Sequence, residues 1–290
     1  MAKKPAVKKG AIELGTICTF PGFKSPALIQ VDDFTCHALI CGGRAAERTS
    51  LALKFAKETI RLKRNILVIS ATKEWPNILF GKPPAARLFM APEPEFGIEN
   101  LVNRVKGHST IFEFGEQNPA ALDSFLSNVV ERIFEMRHVD SQRLKLLVVL
   151  DGVYDAIADK YGMKSRGILH PIYDQAYDQV RQDVYEGKHG VKSRGLLQLE
   201  RGVREFRKLG IGFVLTSTQM TAIRKDTLAN IWTLIHLGSD DPAEIKTSAM
   251  FYRAETEKIT RLHSNEGLVL SPNYNYGEPF LVKLEKCPRH

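Results

Sequence analysis

Two kinds of hydrophobic pattern succeed each other along this chain. Between residues 11 and 35 apolar and polar residues alternate (AIELGTICTF, then PALIQVDDF), the period of short antiparallel strands with one wet face. From His37 onward the pattern becomes short, wholly apolar runs: HALICG, NILVISA, RLFMAP, STIFEFG, LKLLVVLD, GIGFVLTS and TLIHLG. Segments of helical period lie between them, near 49–63, 97–106, 118–138 and 195–208. Apolar runs separated by helices predict a mostly parallel sheet with helices on both faces, because only a strand buried on both sides needs no polar alternation. Two short helices near 242–261 and the runs EGLVLSP and PFLVKLE predict closing antiparallel strands.

The pattern divides the chain into a Lys-rich tail (1–10), a small β elaboration (11–35) and one α/β domain (36–290), interrupted by an insertion at about 155–194 that is mostly helical. The insertion holds a short echo, GMKSRGIL from Gly162 and GVKSRGLL from Gly190; two copies are too few for a solenoid, and chance and duplicated basic loops explain the echo equally well.

With 290 residues, 43% of them hydrophobic, the chain can bury one large core. No apolar run reaches the ~20 residues of a membrane span, and the Lys-rich start lacks the apolar stretch of a secretion signal, so a cytoplasmic or viral-intracellular setting is expected. Cys18, Cys36, Cys41 and Cys287 form no C-x-x-C pair, so neither a disulfide nor a structural metal is expected. A formal charge of +8 fits a polyanionic partner such as nucleic acid, or simply a soluble basic surface.

Candidate chemistry begins at residues 37–64, which read strand, turn, helix. A phosphate-binding P-loop has the form G-x-x-x-x-G-K-[ST], with backbone N–H groups facing phosphate and Lys reaching its outer oxygens. Gly42 takes the first Gly place, with Gly43 beside it in the turn; Glu47 takes the second, Arg48 the Lys place and Thr49 the hydroxyl place. Glu47 puts a carboxylate where bare backbone is needed, and Arg48 offers a planar fork for a compact ammonium. An ordinary capped helix after a Gly-Gly turn accounts for the same residues.

LKLLVVLDG (144–152) ends an apolar strand in Asp151, a carboxylate placed to hold Mg²⁺ or merely to cap the next turn. Gly152 follows where a water-polarising Glu would stand, and Asp155 is the nearest substitute. GFVLTSTQ (212–219) ends in Gln219, which either senses a phosphate or caps a turn. Arg204 and Arg207 share a helix face, either solvated or reaching a phosphate in a neighbouring subunit.

Taken in order, HALICGGRAAERT, VVLDG, FRKLGI and LTSTQ resemble the HerA/FtsK superfamily of ring-forming DNA motor ATPases over roughly residues 30–285. The resemblance implies a RecA-like (ASCE P-loop) fold and a hexameric ring. It implies ATP on Gly42, Gly43, Arg48 and Thr49, and Mg²⁺ on Thr49 and Asp151. Gln219 would be the sensor and Arg207 an arginine acting in trans. Double-stranded DNA would meet channel loops, for which Lys164, Arg166, Lys192 and Arg194 in the two KSRG loops are the candidates beside Lys3, Lys4, Lys8 and Lys9. An active paralogue, a nuclease or a capsid are the implied partner types. Glu47 and Gly152 depart from the family pattern, so three readings stand: a motor-type module with a degenerate site and weak or lost hydrolysis, an active motor using Arg48, and a non-enzymatic scaffold without direct DNA contact.

Overall fold

The computed structural model describes residues 10–18, 25–72, 75, 87–90, 109–114, 119–135, 141–160, 193–223, 225–252 and 256–285. In chain order the elements are β1 (Ala11–Ile17), β2 (Ser25–Gln30), a 3-10 segment (Val31–Cys36), β3 (Ala38–Cys41), α1 (Ala45–Arg61), β4 (Asn65–Ser70), β5 (Arg87–Met90) and β6 (Thr110–Glu113). These lead into α2 (Pro119–Glu135), β7 (Ser141–Asp151), α3 (Val153–Lys160), α4 (Arg194–Glu205), a 3-10 turn (Phe206–Lys208) and β8 (Leu209–Ser217). A second 3-10 turn (Met220–Ala222), α5 (Lys225–Leu228), β9 (Thr233–His236), α6 (Pro242–Tyr252), α7 (Thr256–Thr260), β10 (Glu266–Leu270), a third 3-10 turn (Asn275–Gly277) and β11 (Phe280–Leu284) complete it.

All eleven strands form one sheet in the order β2-β1-β11-β10-β9-β3-β8-β7-β4-β6-β5. From β9 to β5 every pairing is parallel; β10, β11, β1 and β2 add an antiparallel wing. The fold class read from the sequence is therefore the one observed. The N-terminal elaboration is part of this same sheet, because β1 pairs with β11 as well as with β2. Residues 155–160 of the expected insertion lie in α3, whose Ile157 and Ala158 are fully buried in the core, and 161–192 lie outside the described residues, as does the helix expected near 97–106.

Period-2 geometry sends alternate residues of each parallel strand to two separate cores. Leu39, Leu67, Ile69, Val148, Leu150, Phe213 and Leu215 meet α2, α3 and α4 on one face. Ile40, Ile66, Val68, Leu147, Val149 and Val214 meet Leu51, Phe55 and Ala56 of α1 on the other. Leu199, fully buried on α4, contributes about 2–3 kcal/mol by that burial alone. α1 ends with Lys63 at φ 59 and an Arg64 N–H to Thr59 O bond of 3.0 Å, the pattern that usually recruits Gly.

His37 pins the start of β3. Its backbone, at φ 62 and ψ 156, lies in a region essentially reserved for Gly. The fully buried ring offsets that strain by accepting the Phe213 N–H at Nδ1 (3.0 Å) and donating from Nε2 to Val203 O (2.8 Å). Both ring nitrogens are thus committed to a neutral imidazole, and burial pushes its pKa down to about 4.

Candidate functional site

Parallel register brings the turn, Asp151 and Gln219 together at one edge. The C-terminal ends of β3, β8 and β7 lie side by side, so Gly42, Thr218 and Asp151 become neighbours although 176 positions separate the first two, 218 − 42.

Gly42 (φ 72) and Gly43 (φ 61) make the turn, and both need to be Gly. A Cβ on Gly42 would come within 2.2 Å of Gly238 O, and one on Gly43 within 2.7 Å of the Leu237 Cβ. The turn packs on the loop after β9, where the Gly43 N–H donates to Gly238 O at 2.7 Å. Helix α1 begins at Ala45, inside the stretch that a P-loop would leave open for phosphate. The Glu47 and Arg48 N–H groups both donate to Arg44 O (3.0 and 3.2 Å), so neither is left for a ligand. Glu47 folds back and accepts the Arg44 N–H at 3.0 Å, putting the chain's own anion on the helix N-terminus. Arg48 is buried; its fork donates to Gly42 O (3.0 Å), Gly43 O (2.9 Å) and Thr218 Oγ1 (3.2 Å), tying the turn to the end of β8. In this conformation the turn is a poor fit for a phosphate: the Gly43, Arg44, Glu47 and Arg48 N–H groups are spent and a carboxylate stands among them.

Asp151, 1% exposed, is the hub of the edge. Oδ2 accepts Thr49 Oγ1 (2.9 Å), Thr72 Oγ1 (3.0 Å) and Trp75 Nε1 (2.9 Å), and Oδ1 accepts Thr216 Oγ1 (2.7 Å). Thr49 spends its proton on Asp151 and keeps its oxygen lone pairs, an arrangement that fits Mg²⁺ held through the hydroxyl with Asp151 behind it. Oδ2, with three donors, has no room for the ion itself. Gly152 sits at φ 67, and its N–H donates to Thr216 Oγ1 at 2.8 Å. Asp155 points to β8, accepting Ser217 Oγ (2.7 Å) and the Thr218 N–H and Oγ1 (both 2.6 Å). Gln219 turns the other way, donating to Asp241 Oδ2 at 2.8 Å.

Behind the turn lie Cys41, His236 and Glu244, all fully buried, with side-chain ligand atoms within 4.8 Å of one another. His236 Nδ1 accepts the Gly238 N–H at 3.0 Å, so Nε2 carries the proton and faces Glu244 Oε1 at 3.5 Å. That tautomer opposes metal ligation through Nε2, since the second nitrogen of a ligating His normally donates. Burial raises the pKa of the Cys41 thiol and of the neighbouring Tyr252 phenol, keeping both neutral. Neither Trp75 nor His236 stood out in the sequence; both are held by contacts between segments far apart in the chain.

The remaining candidates lie elsewhere. Arg207 stands at the opposite, N-terminal edge, its guanidinium 3.9 Å from the centre of the Trp232 ring. Within one chain it does not join Asp151. Arg194 opens α4 and pairs on the surface with Glu131 Oε1 at 2.7 Å. Lys164, Arg166 and Lys192, like the N-terminal lysines, fall outside the described residues. No described helix is long and apolar enough to cross a membrane.

An eleven-stranded, mostly parallel sheet with the turn residues, Asp151 and Gln219 at its C-terminal edge defines a RecA-like P-loop fold. No protein family profile and no curated protein matches this sequence. Among solved structures, the bacterial conjugative coupling protein TrwB is similar at a TM-score of 0.65 and 9% identity, over 98% of this chain and 90% of that one. The genome packaging NTPase B204 of Sulfolobus turreted icosahedral virus 2, in complex with sulfate, matches at 0.53 and 10% identity, over 86% of this chain and 96% of its own. The conjugation coupling protein TcpA of pCW3, with ATPγS, matches at 0.50 and 13%, over 99% of this chain and 69% of that one. The resemblance read from the motifs holds at the level of the fold.

Proposed function

We propose that this chain is a HerA/FtsK-type module that assembles as a homo-oligomeric, hexameric ring on or around double-stranded DNA, with a nucleotide site closed by its own side chains. ATP-Mg²⁺ binds weakly or not at all, and hydrolysis is lost. The observation that carries this reading is Glu47 on the Arg44 N–H, inside a helix that starts where phosphate would lie. B204 and TrwB have been solved in complex with sulfate; the anion on the Arg44 N–H of this chain is its own Glu47 carboxylate. Gly152, with no side chain to polarise water, points the same way. Lys164, Arg166, Lys192 and Arg194 are the proposed DNA-backbone contacts, and an active paralogue, a nuclease or a capsid is the proposed partner class.

A second reading, an active motor with Arg48 as its phosphate cation, is favoured by the Thr49–Asp151 pair, which retains the arrangement needed for Mg²⁺. Isothermal titration with a non-hydrolysable ATP analogue and Mg²⁺, on the natural chain and on Asp151→Ala, separates the two. The closed site predicts no heat from either protein, and binding gained by Glu47→Gly with Arg48→Lys. Micromolar binding by the natural chain, lost in Asp151→Ala, would overturn it in favour of the motor.

A further inference from the structure

His236, fully buried on β9, lies directly beneath the Gly42-Gly43 turn: its Cε1 would stand 2.9 Å from a Cβ on Gly42. A chain of contacts runs from the ring to that turn. Nδ1 accepts the Gly238 N–H (3.0 Å), and Gly238 O accepts the Gly43 N–H (2.7 Å), one of the groups whose pairing closes the turn. On the other side of the ring, Nε2 carries a proton that has no hydrogen-bond partner among the described residues, although Glu244 Oε1 lies 3.5 Å away. A buried donor left without a bond beside a buried carboxylate has a better-bonded arrangement close at hand.

Few groups face this ring. α6 supplies Glu244 and, edge-on with ring centroids 6.0 Å apart, Tyr252; β3 supplies Cys41, and β10 sets Leu268 opposite in register. Leu262, just beyond α7, covers Gly238. Burial keeps Cys41 and Tyr252 neutral, and the Cys41 thiol donates to Ile235 O at 3.7 Å. Among the described residues Glu244 is therefore the charge that faces the ring. It is anchored by the Met220 N–H (2.6 Å) and by Ser248 Oγ (3.2 Å). Arg48 and Asp155 are the next charges, both felt at Cys41.

Imidazole is the side chain that gains a proton between about pH 8 and pH 5. With Nε2 already protonated, the added proton goes to Nδ1, where it meets the Gly238 N–H donor against donor. Gly238, at φ 90 and without a Cβ, turns away, and its carbonyl leaves the Gly43 N–H. The charged ring keeps a charge-assisted partner in Glu244. We propose that His236 is a proton switch for the turn: a proton at Nδ1, balanced by Glu244, frees the Gly43 N–H to face a tetrahedral oxyanion, and loss of the proton closes the turn again. This gate rests on the closed-site reading and adds to it the condition under which the closure loosens. His37 cannot serve, since both its ring nitrogens are bonded and burial holds its pKa at about 4.

The test is amide hydrogen exchange read by NMR on the full chain at about pH 8 and about pH 6, each rate divided by that of an unstructured amide at the same pH. The expected result is a protection of the Gly43 N–H that falls at least about tenfold at the lower pH, while amides of β4 and β7 keep theirs. Sulfate, whose charge is constant over this range, should gain affinity at least about fivefold at constant ionic strength, because apparent affinity follows the open fraction. His236→Gln keeps an acceptor for the Gly238 N–H but takes no proton. It should hold Gly43 protected at both pH values and abolish the gain in sulfate affinity, with circular dichroism as the check on folding. Should the variant not fold, the imidazole nitrogen shifts of the natural chain decide: His236 must protonate over the interval in which Gly43 loses protection. Protection that is constant in the natural chain, or lost equally in His236→Gln, overturns the switch and leaves the closed site standing. Opening of Gly43 with no gain for sulfate overturns it as an anion gate. A Gly43 N–H already unprotected at the higher pH overturns the closed-site reading and the switch together.

Discussion

Acidification should unfold this protein in part through a single imidazole. His37 is buried and neutral, with a pKa of about 4 against 6.5 for the free side chain. Because the folded-state value is depressed, the unfolded chain binds the extra proton, and the contribution is complete above pH 6.5 and lost as pH falls towards 4. Linkage between those values gives a loss of about 2 kcal/mol by pH 5 and about 3 kcal/mol by pH 4. The cause is burial, which strips hydration from a charged ring, and a proton at Nδ1 would also meet the Phe213 N–H, which already points there. Carboxylates titrate in the same range, so the measurement is a difference. Urea unfolding of the natural chain and of His37→Gln, from pH 7 to pH 4, should give a stability gap that shrinks by about 2 kcal/mol at pH 5. A gap constant with pH would refute the assignment. It would mean that His37 is charged in the folded state or opens to water without unfolding.

Other perturbations probe the edge. Trp75→Phe removes a donor from the buried Asp151 and should cost about 1.5–3 kcal/mol in urea unfolding, the range for hydrogen bonds to charged groups; a loss under about 0.5 would mean that the indole bond is not kept in solution. Gly42→Ala places a Cβ against Gly238 O at positive φ and should cost about 2–4 kcal/mol, read as a fall in the denaturation midpoint. Arg48→Lys keeps the charge but cannot span two carbonyls and Thr218; we expect a loss of about 1–3 kcal/mol with no gain in nucleotide affinity by titration calorimetry, since Glu47 remains.

The layers of this fold were legible because both-face burial writes itself into sequence. NILVIS and LKLLVVLD carry no polar alternation, and they became β4 and β7. Antiparallel closure by EGLVLSP and PFLVKLE was legible for the same reason, in β10 and β11. What escaped was how the candidate residues are used. The sequence shows that Glu47 replaces a glycine, but only the folded chain shows its carboxylate returning to the Arg44 N–H and α1 starting at Ala45. Arg48 was legible as a cation; that its fork is spent on the turn's own carbonyls is a matter of three dimensions. Trp75, between two distant strand ends, left no local signal at all. Gln219 faces Asp241 because the loop after β9 passes beside it, a neighbour 22 positions away that no local pattern announces.

The chain has two tryptophans, one at each edge of the sheet. Trp75 is fully buried with its indole N–H on a carboxylate, and Trp232 lies partly exposed beneath a guanidinium. These surroundings are opposite in polarity and in access to water, so the protein comes with two optical reporters of different colour. Replacing either by phenylalanine leaves the other to report alone, one on the Asp151 hub and one on the Arg207 guanidinium, with no label attached.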